Sequence, residues 1–294
     1  MRVLKNVNEM RAEAARLRNA GKTIGLVPTM GYFHEGHLSL MRAARAANDA
    51  VVTTLFVNPA QFAPAEDFDR YPRDFDRDQK LAEQAGVDIL FRPDRGAMYP
   101  TAYRTYVQVE ELGAKLCGAS RPGFFRGVTT VCCKLFNICR PHRAYFGLKD
   151  AQQAFIIAKM VKDLDMDVEI VKLPTVREQD GLAMSSRNAY LGAADRKSAA
   201  ALFEALSAAR TLIASGTKDP AQIKAKLRSV LDSEPRVEID YVSVADTESF
   251  EEVAEIAEGN LVAVAVNLGG ARLIDNIIVE TDRSGTRAAR DERT

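Results

Sequence analysis

The chain has 294 residues, of which 47% are hydrophobic, so it is long enough to form one large domain or two ordinary ones around a substantial core. Its 40 basic and 40 acidic residues cancel, so no global charge attracts nucleic acid or an anionic membrane surface, and small neutral partners are favoured. No apolar run approaches the length of about 18 residues that spans a membrane, and the N-terminus lacks an apolar signal region, so we expect a cytoplasmic protein.

Short apolar strands alternate with helical patterns in the N-terminal part of the chain, which favours a parallel, doubly wound α/β sheet. The predicted strands are Thr23–Val27, Ala50–Val57, Val87–Phe91, Arg143–Phe146 and Val168–Leu173. In sheets of this kind, ligands bind beyond the carboxyl ends of the strands, where the strand order reverses. Polar and charged motifs do follow the first, second and fourth of these strands.

The pattern changes at about Val176, where helices and then strands predict a second, smaller α+β domain. The helices are expected at 194–215 and 219–232, and the strands at 237–244, 261–266 and 272–280. We therefore predict a first domain at residues 1–175, a second at 176–283 and a disordered tail at 284–294, where the sequence is charged and has no apolar face.

The cysteines of the chain are predicted to be structural. Cys117, Cys132, Cys133 and Cys139 lack Cys-x-x-Cys spacing and have apolar neighbours. A free cysteine in such surroundings usually behaves as a small buried hydrophobic residue. The stretch 128–138 is accordingly interpreted as a buried helix.

The segment Pro28–His37 holds two of the three histidines at the turn between a predicted strand and a predicted helix. Backbone N–H groups at the start of a helix carry partial positive charge and have no partner within the helix, so such a turn suits an anion. The imidazoles of His34 and His37 add hydrogen-bond donors aimed at the same place. A chance pair and a metal site are the alternatives, but the spacing differs from the His-Glu-x-x-His pattern of zinc proteases. We interpret this segment as a phosphate site that resembles the His-x-Gly-His pattern of nucleotidyltransferases.

Two amides follow the second predicted strand, in the turn Asn58–Phe62. An amide orients a hydroxyl or carboxylate without adding charge, which suits an anchor in a largely apolar ligand pocket. An ordinary turn around Asn-Pro is the alternative. A functional role for Gln61 requires that a second amide, Gln153, converges with it.

The segment Gly147-Leu148-Lys149-Asp150 follows the fourth predicted strand and opens a helix expected at Ala151–Asp163. A lysine at this place can meet phosphate oxygens, and Asp150 suits a helix cap or a magnesium ion. The alternative for Lys149 is a solvated surface charge.

Two loops complete the candidate regions. Asp180–Asn188 combines two hydroxyls with a guanidinium, so Ser185 and Ser186 can donate to a triphosphate while Arg187 neutralises the departing pyrophosphate. A helix N-cap is the alternative for this loop.

The segment 66–74 is dense in charge and is either a solvated loop or a flap with Tyr71 and Arg73 facing a pocket.

Several motifs occur in a fixed order over nearly the whole chain: PTMGYFHEGH, NPAQF, EDFDRYPR, RPGFFRGV, YFGLKDAQQ and DGLAMSSRN. Together they resemble the pantothenate synthetase family, the pantoate-β-alanine ligases. The resemblance implies a Rossmann-like N-terminal domain, a smaller C-terminal domain that serves partly as a lid, and a homodimer. It also implies ligation of (R)-pantoate and β-alanine, driven by ATP with Mg2+, through a pantoyl adenylate that releases diphosphate and AMP.

The resemblance also implies residue roles. Gln61 and Gln153 would bind pantoate, with Gln61 also beside β-alanine, and Asp78 matches a position near the magnesium-linked part of the pocket. The residues implied to act in catalysis are His34, His37, Lys149, Ser185, Ser186 and Arg187. The residues implied to bind ATP are Met30, Gly31, Tyr32, Phe33, His34, Glu35, Gly36, His37, Gly147, Leu148, Lys149, Asp150, Val176, Met184, Ser185, Ser186 and Arg187, of which Met184–Arg187 would form a mobile loop.

Two positions depart from the pattern of the family. Phe124 stands where the family commonly has His, which puts a polar role at this position in doubt. Leu148 stands where the family commonly has Glu or Gln, which matters less if position 148 contributes through its backbone.

Other functions remain as alternatives. One is a nucleotidyltransferase on the same fold whose product retains the nucleotide, and another is a non-catalytic nucleotide-sensing module. An RNA-binding relative of the synthetases is disfavoured by the zero net charge and by the lack of an added basic domain.

Overall fold

The computed structural model describes residues 1–64 and 66–280, and contacts between Cα atoms divide the chain into two compact units. The first unit contains Met1–Ala114, Arg121–Gly147 and Gln153–Leu173. The second contains Lys115–Ser120, Leu148–Gln152 and, of the described residues, the chain from Pro174 to Glu280. Two short segments, which interrupt the first unit in the sequence, thus belong to the second unit. The predicted tail at 284–294 lies outside the described residues.

A six-stranded sheet forms the centre of the first unit. Its strands are β1 (Arg2–Leu4), β2 (Ile24–Thr29), β3 (Ala50–Leu55), β4 (Ile89–Phe91), β5 (Arg143–Gly147) and β6 (Glu169–Leu173). All neighbours pair in parallel, in the order β1-β4-β3-β2-β5-β6. The predicted doubly wound α/β fold is confirmed. Strand β1 was not predicted, because three residues of which one is buried give no apolar run.

The helices found in the described residues cover both faces of this sheet or belong to the second unit. They are α1 (Val7–Asn19), α2 (Glu35–Ala47), α3 (Phe75–Gln84), α4 (Arg95–Met98), α5 (Cys117–Ser120), α6 (Phe124–Cys139), α7 (Ala151–Asp163), α8 (Ala193–Ser198), α9 (Ala201–Ala214) and α10 (Pro220–Leu231). Short 3-10 helices occur at Pro59–Gln61, Leu112–Ala114, Leu148–Asp150 and Ser186–Tyr190. No helix within residues 1–64 and 66–280 is long and apolar enough to cross a membrane.

The central strands are apolar along their length because the sheet is covered on both faces. In β3, Ala50, Val51 and Val52 are all buried, although successive side chains point to opposite faces. Val51 packs in one core cluster and Val52 in another. A strand buried in this way reads as a continuous apolar run, which is why β2 and β3 were predictable.

The second unit is built on a three-stranded antiparallel sheet, as predicted for the smaller α+β domain. Its strands are β7 (Glu238–Ala245), β8 (Leu261–Leu268) and β9 (Ala271–Ile278), in that order. Apolar side chains of α9 and α10, including Leu206 and Leu227, pack with Val264 of β8. The single helix expected at 194–215 is divided into α8 and α9, because Leu202 N–H bonds to the carbonyl of Ala199 at 3.2 Å in a tighter turn.

The prediction of structural thiols is confirmed. Cys117, Cys132 and Cys139 are buried, Cys133 is half-buried, and all four are free. Burial raises the pKa of Cys132 to about 12 and raises the pKa of Cys139 as well. These two thiols are therefore neutral and unreactive at neutral pH.

Candidate active site

The predicted site residues of the first unit gather at one edge of its sheet. Strand β2 lies between β3 and β5, and all three are parallel, so the chain leaves them at the same edge. The segment 30–37, whose last three residues open α2, follows β2; the turn 58–62 follows β3, and Gly147 ends β5. The strand order reverses between β2 and β5. This edge is thus the place at which open α/β sheets bind their ligands.

A buried carboxylate holds the loop that follows β2. Asp78, in α3, accepts hydrogen bonds from the backbone N–H groups of Tyr32 and Phe33, both at 2.7 Å, one on each carboxylate oxygen. Gly31 has a φ of 93°, and a Cβ at this position would lie 3.0 Å from Oδ2 of Asp78. Glycine therefore lets the loop approach the carboxylate. The resemblance placed Asp78 near a magnesium ion, whereas both of its oxygens are engaged with the loop backbone.

The protonation of Asp78 is coupled to folding. Burial raises the pKa of its carboxyl group, and the N–H groups of Phe33 and Tyr32 and the charge of Arg77 oppose that rise. A carboxyl group with a raised pKa in the folded state binds its proton more tightly there than in the unfolded chain. Its contribution to stability is therefore present below the ordinary pKa of 3.8 and is lost as the pH rises through the raised value.

We expect Asp78→Asn to lower the free energy of unfolding by about 1–3 kcal/mol at neutral pH, because the amide nitrogen cannot accept and one buried N–H group of the loop loses its partner. The loss relative to the unsubstituted protein should be larger at acidic pH and should shrink as the pH rises through the raised pKa of Asp78. Urea denaturation measured from about pH 4 to 7 tests both statements. The matched control is Asp76→Asn, at an exposed position of the same helix. Equal stability of the two variants at every pH would contradict the expectation.

The two histidines at the start of α2 contact each other. The backbone N–H of His34 donates to Nδ1 of His37 at 3.3 Å, and the ring centroids are 4.1 Å apart. Because Nδ1 of His37 accepts a hydrogen bond, a neutral ring in this arrangement carries its proton on Nε2, which leaves that atom as the donor for a ligand. This donor lies at the N-terminus of a helix of 13 residues, whose dipole also favours an anion. Glu35 is exposed and its carboxylate pairs with Arg42, so its side chain is engaged along the surface of α2.

The amide of Gln61 is buried and oriented by its neighbours. Its Oε1 accepts from Nδ2 of Asn58 at 3.1 Å, and its Nε2 donates to the sulfur of Met30 at 3.1 Å. Nδ2 of Asn58 also donates to the carbonyl of Gly127 at 3.0 Å. A thioether is a weak acceptor, so a ligand oxygen would give the Gln61 amide a stronger partner. The second predicted amide, Gln153, lies half-buried in the first turn of α7, after the strand on the other side of β2.

The predicted phosphate-binding lysine belongs to the second unit. Lys149 lies in the 3-10 helix that directly follows β5, and its Nζ is 3.4 Å from a carboxylate oxygen of Asp150. Its side chain is 19% exposed, so it is partly withdrawn from solvent rather than fully solvated. The carbonyls of Leu148 and Lys149 each accept a hydrogen bond from Nδ2 of Asn276 at 2.9 Å. Leu148, which departs from the family pattern, thus contributes a backbone carbonyl to this contact.

A hairpin leads into the loop with two serines. The N–H of Met184 donates to the carbonyl of Val176 at 3.0 Å. Ser185 is the N-cap of the 3-10 helix 186–190, and its Oγ accepts from the N–H of Arg187 at 3.3 Å. The N-cap alternative is therefore confirmed for Ser185. The cap uses the oxygen of this hydroxyl as an acceptor, and its proton is a separate donor. Ser186 is buried, and Arg187 is half-buried.

In the charged loop at 66–74, the side chain of Arg73 bonds to the backbone of the loop itself. Arg73 is exposed and donates to the carbonyls of Phe68 at 2.8 Å, Asp69 at 3.2 Å and Tyr71 at 3.0 Å. Of the two alternatives for this loop, the exposure of Arg73 and its bonds to the carbonyls of its own loop favour the solvated loop for this residue. Tyr71 is buried, with 5% of its surface exposed.

The aromatic ring of Phe124 supports the turn that carries Gln61. The guanidinium carbon of Arg121 lies 3.7 Å from the centroid of the Phe124 ring, a cation–π contact. Arg121 forms two hydrogen bonds with the carboxylate of Glu66, at 2.7 and 2.6 Å, and donates to the backbone carbonyl of Gln61 at 3.3 Å. Phe124 is therefore in contact with the residue that bonds to the backbone of Gln61.

The sequence of this chain is similar to those of known proteins. The sequence model of the family described as pantoate-beta-alanine ligase matches residues 2–278. A pantothenate synthetase of Acetivibrio thermocellus is 55% identical over 280 residues, which cover 95% of this chain and 100% of that protein. A pantothenate synthetase of Thermotoga neapolitana is 53% identical over 279 residues, again covering 95% of this chain and 100% of the relative.

The chain also resembles solved structures of pantothenate synthetases. The chain resembles the pantothenate synthetase of Thermus thermophilus with a TM-score of 0.90 and 45% identity, covering 95% of this chain and 99% of that one. It resembles a pantoate-beta-alanine ligase of Francisella tularensis with a TM-score of 0.79 and 31% identity, covering 95% of this chain and 97% of that one. The ligase of F. tularensis was solved in complex with "Beta-gamma ATP and Beta-alanine".

Proposed function

The chain belongs to the pantoate-β-alanine ligase family, and from this premise we propose that it joins (R)-pantoate to β-alanine through a pantoyl-adenylate intermediate. Membership of the family makes the protein an enzyme of pantothenate synthesis that uses ATP as a co-substrate. The observation that carries the proposal is the loop 30–37, which Asp78 holds at the start of α2, where the strand order reverses. The first turn of α2 supplies backbone N–H groups, and His34 and His37 supply imidazole donors, of the kind suited to phosphate.

The first proposed step activates the acid, because a carboxylate and an amine do not condense in neutral water. A carboxylate oxygen of pantoate attacks the α-phosphorus of ATP. The new bond between oxygen and phosphorus forms as the bond to the bridging oxygen breaks, and diphosphate leaves with that electron pair. Negative charge builds on the phosphate oxygens, and donors fixed in advance stabilise it. The donors that we assign to this charge are His34, His37, Lys149, Ser185, Ser186 and Arg187.

The second proposed step forms the amide. The amine of β-alanine attacks the acyl carbon of the adenylate, the bond from that carbon to the phosphate oxygen breaks, and AMP leaves while the amine loses a proton. Water competes for the same carbon. We assign its exclusion to closure of the loop Met184–Arg187, since a closed site protects a reactive intermediate.

Magnesium ions are commonly held by one or two carboxylates together with substrate phosphates. Asp150 fits this mode, because its carboxylate is 47% exposed and lies beside Lys149, whereas Asp78 does not fit because both of its oxygens accept backbone N–H groups. When bound, Mg2+ would neutralise phosphate charge. Among residues 1–64 and 66–280, no group of three His, Cys, Asp or Glu side chains is placed to hold a metal. A metal ion at Asp150 would therefore take further ligands from the phosphates.

We expect Gln61→Ala and Gln153→Ala to weaken pantoate binding by roughly 5- to 150-fold each, because each removal leaves a buried polar group of the ligand unpaired at a cost of about 1–3 kcal/mol. ATP affinity should change far less. Isothermal titration with each substrate separates the two effects. The matched control is Gln84→Ala, at an exposed position at the end of α3. A loss confined to ATP binding would overturn the assignment of both amides to pantoate.

The experiment that tests the proposed function is exchange of labelled pyrophosphate into ATP in the presence of pantoate and without β-alanine. Reversible adenylate formation requires exchange that depends on pantoate. Addition of β-alanine should then release AMP and pantothenate. A nucleotidyltransferase would incorporate the nucleotide into its product and release no AMP, and a nucleotide-sensing module would bind ATP without exchange. Either result would replace the proposed function.

We further propose that the enzyme acts in the cytoplasm as a homodimer, on small molecules and without nucleic acid or membrane partners. The support is the family resemblance together with a net charge of zero, which provides no general attraction to polyanions. Light scattering of the purified chain measures its oligomeric state directly.

A further inference from the structure

Two adjacent residues of β9 hold two separate segments to which the proposed function assigns nucleotide chemistry. These residues are Asp275 and Asn276, which are 1% and 8% exposed. Successive side chains of a strand point to opposite sides, so one strand can hold two segments at neighbouring positions. All the residues concerned, including Lys149 and the loop with two serines, lie in the second compact unit.

The amide of Asn276 fixes the backbone at Lys149. Its Nδ2 donates one hydrogen bond to the carbonyl of Leu148 and one to the carbonyl of Lys149, each at 2.9 Å. A primary amide nitrogen has two N–H groups, so it matches two neighbouring acceptors, whereas a carboxylate would oppose them. Fixing these two carbonyls fixes the peptide planes on both sides of the Lys149 Cα atom. The direction in which the long lysine side chain leaves the backbone is thereby set.

The carboxylate of Asp275 fixes the hairpin that leads to the loop with two serines. Its two oxygens accept from Nη1 and Nη2 of Arg177 at 2.6 and 3.0 Å, and its side chain is fully buried. Nη1 of Arg177 also donates to the carbonyl of Gly181 at 3.0 Å, across the hairpin. A guanidinium bound at both nitrogens by one carboxylate has little freedom to turn. Met184 follows on the returning arm of this hairpin and bonds to Val176.

We propose that Asp275 and Asn276 are positioning residues for the ligase reaction. Asn276 sets the backbone from which Lys149 reaches phosphate, and Asp275 acts through Arg177 to set the hairpin before Ser185. This inference rests on the proposed function for the role of Lys149. A displacement of about 1 Å in a group that stabilises a transition state can cost on the order of 100-fold in rate, so contacts of this kind affect catalysis without touching a substrate.

The test of the Asn276 contact is a double-mutant cycle with Lys149. Asn276→Leu keeps the shape of the side chain and removes both donors. We expect exchange of pyrophosphate to fall about 10- to 100-fold and ATP binding to weaken, with pantoate affinity within about twofold of the unsubstituted protein. In a Lys149→Ala background the same substitution should change ATP affinity by less than about twofold, because its effect passes through Lys149. The matched control is Asn267→Leu, at an exposed position of β8.

The outcomes of the cycle separate this inference from the proposed function. A defective Lys149→Ala variant beside a normal Asn276→Leu variant overturns the positioning role alone, as does an Asn276→Leu effect that persists undiminished without the lysine. A normal Lys149→Ala variant overturns the assigned role of Lys149 and the positioning role with it. If Asn276→Leu does not fold, Asn276→Ala replaces it in the same cycle, since it removes both donors without placing a charge against the two carbonyls.

The Asp275 contact is tested by Asp275→Asn, which keeps one acceptor for Arg177 and loses the other. Hydrogen–deuterium exchange should rise in a peptide covering 176–190 and stay unchanged in a peptide from β8. The KM for ATP should rise about tenfold, and pantoate affinity should be unaffected. Unchanged exchange in the hairpin together with an unchanged KM for ATP would overturn the role of Asp275.

Discussion

Lys149→Ala is expected to reduce pantoate-dependent exchange of pyrophosphate into ATP by roughly 100-fold or more, while the protein remains folded. The physical reason is the loss of a cation from the phosphate charge that builds during the first proposed step. The side chain pairs with Asp150 and belongs to none of the hydrophobic core clusters, so its removal takes no apolar contact from a core. The measurement is the exchange rate per folded molecule, with thermal unfolding as the check on folding.

The matched control for this variant is Lys159→Ala. Lys159 lies on the exposed face of α7, where its ammonium group pairs with Asp163. An exposed pair of this kind contributes little to stability and has no assigned role in the reaction. We expect the control to exchange pyrophosphate at the normal rate. A folded Lys149→Ala variant with a normal rate would show that the lysine is a surface charge after all.

The order of the elements and most strands were predictable from the sequence because burial leaves a local pattern. The residues of β3 form an apolar run because both faces of this strand are covered. Helix α7 begins and ends at the predicted residues, Ala151 and Asp163. The loop 30–37 was also predictable, since its histidines and glycines lie in one short segment between a strand and a helix. The strand β1 left no such pattern, because it is short and mixed in polarity.

The contacts that hold the site were not predictable, because they join residues far apart in the chain. Asp78 lies on the same face of α3 as Phe75 and Ala82, so a buried carboxylate on an apolar face was the available signal. No pattern in the sequence around Asp78 indicates that its carboxylate accepts hydrogen bonds from the backbone of the loop after β2. The bonds from Asn276 to Leu148 and Lys149 likewise join β9 to a segment that lies 128 and 127 residues earlier in the sequence.

A single methyl group at Gly127 should be among the most damaging small changes in the first unit. Gly127 lies in α6 against the turn 59–61, and a Cβ at this position would overlap the carbonyl of Ala60 and approach the backbone nitrogen of Gln61. These atoms are backbone, so they cannot move away as a flexible side chain can. Either the helix or the turn must shift, and overpacking of this kind typically costs about 1–3 kcal/mol, occasionally more.

We therefore expect Gly127→Ala to lower the free energy of unfolding by about 1–3 kcal/mol or more and to weaken pantoate binding at least tenfold in the molecules that fold. The second effect follows because the carbonyl of Gly127 accepts from Asn58, whose amide also orients Gln61, so a shift of the helix moves the amide assigned to pantoate. Gly96→Ala is the matched control, since a Cβ there meets nothing within 4 Å. Urea denaturation and pantoate titration measure the two effects. A Gly127→Ala variant that binds pantoate as tightly as Gly96→Ala does would mean that the turn absorbs the added methyl group without moving Gln61, and that the close approach of α6 does not set the pantoate site.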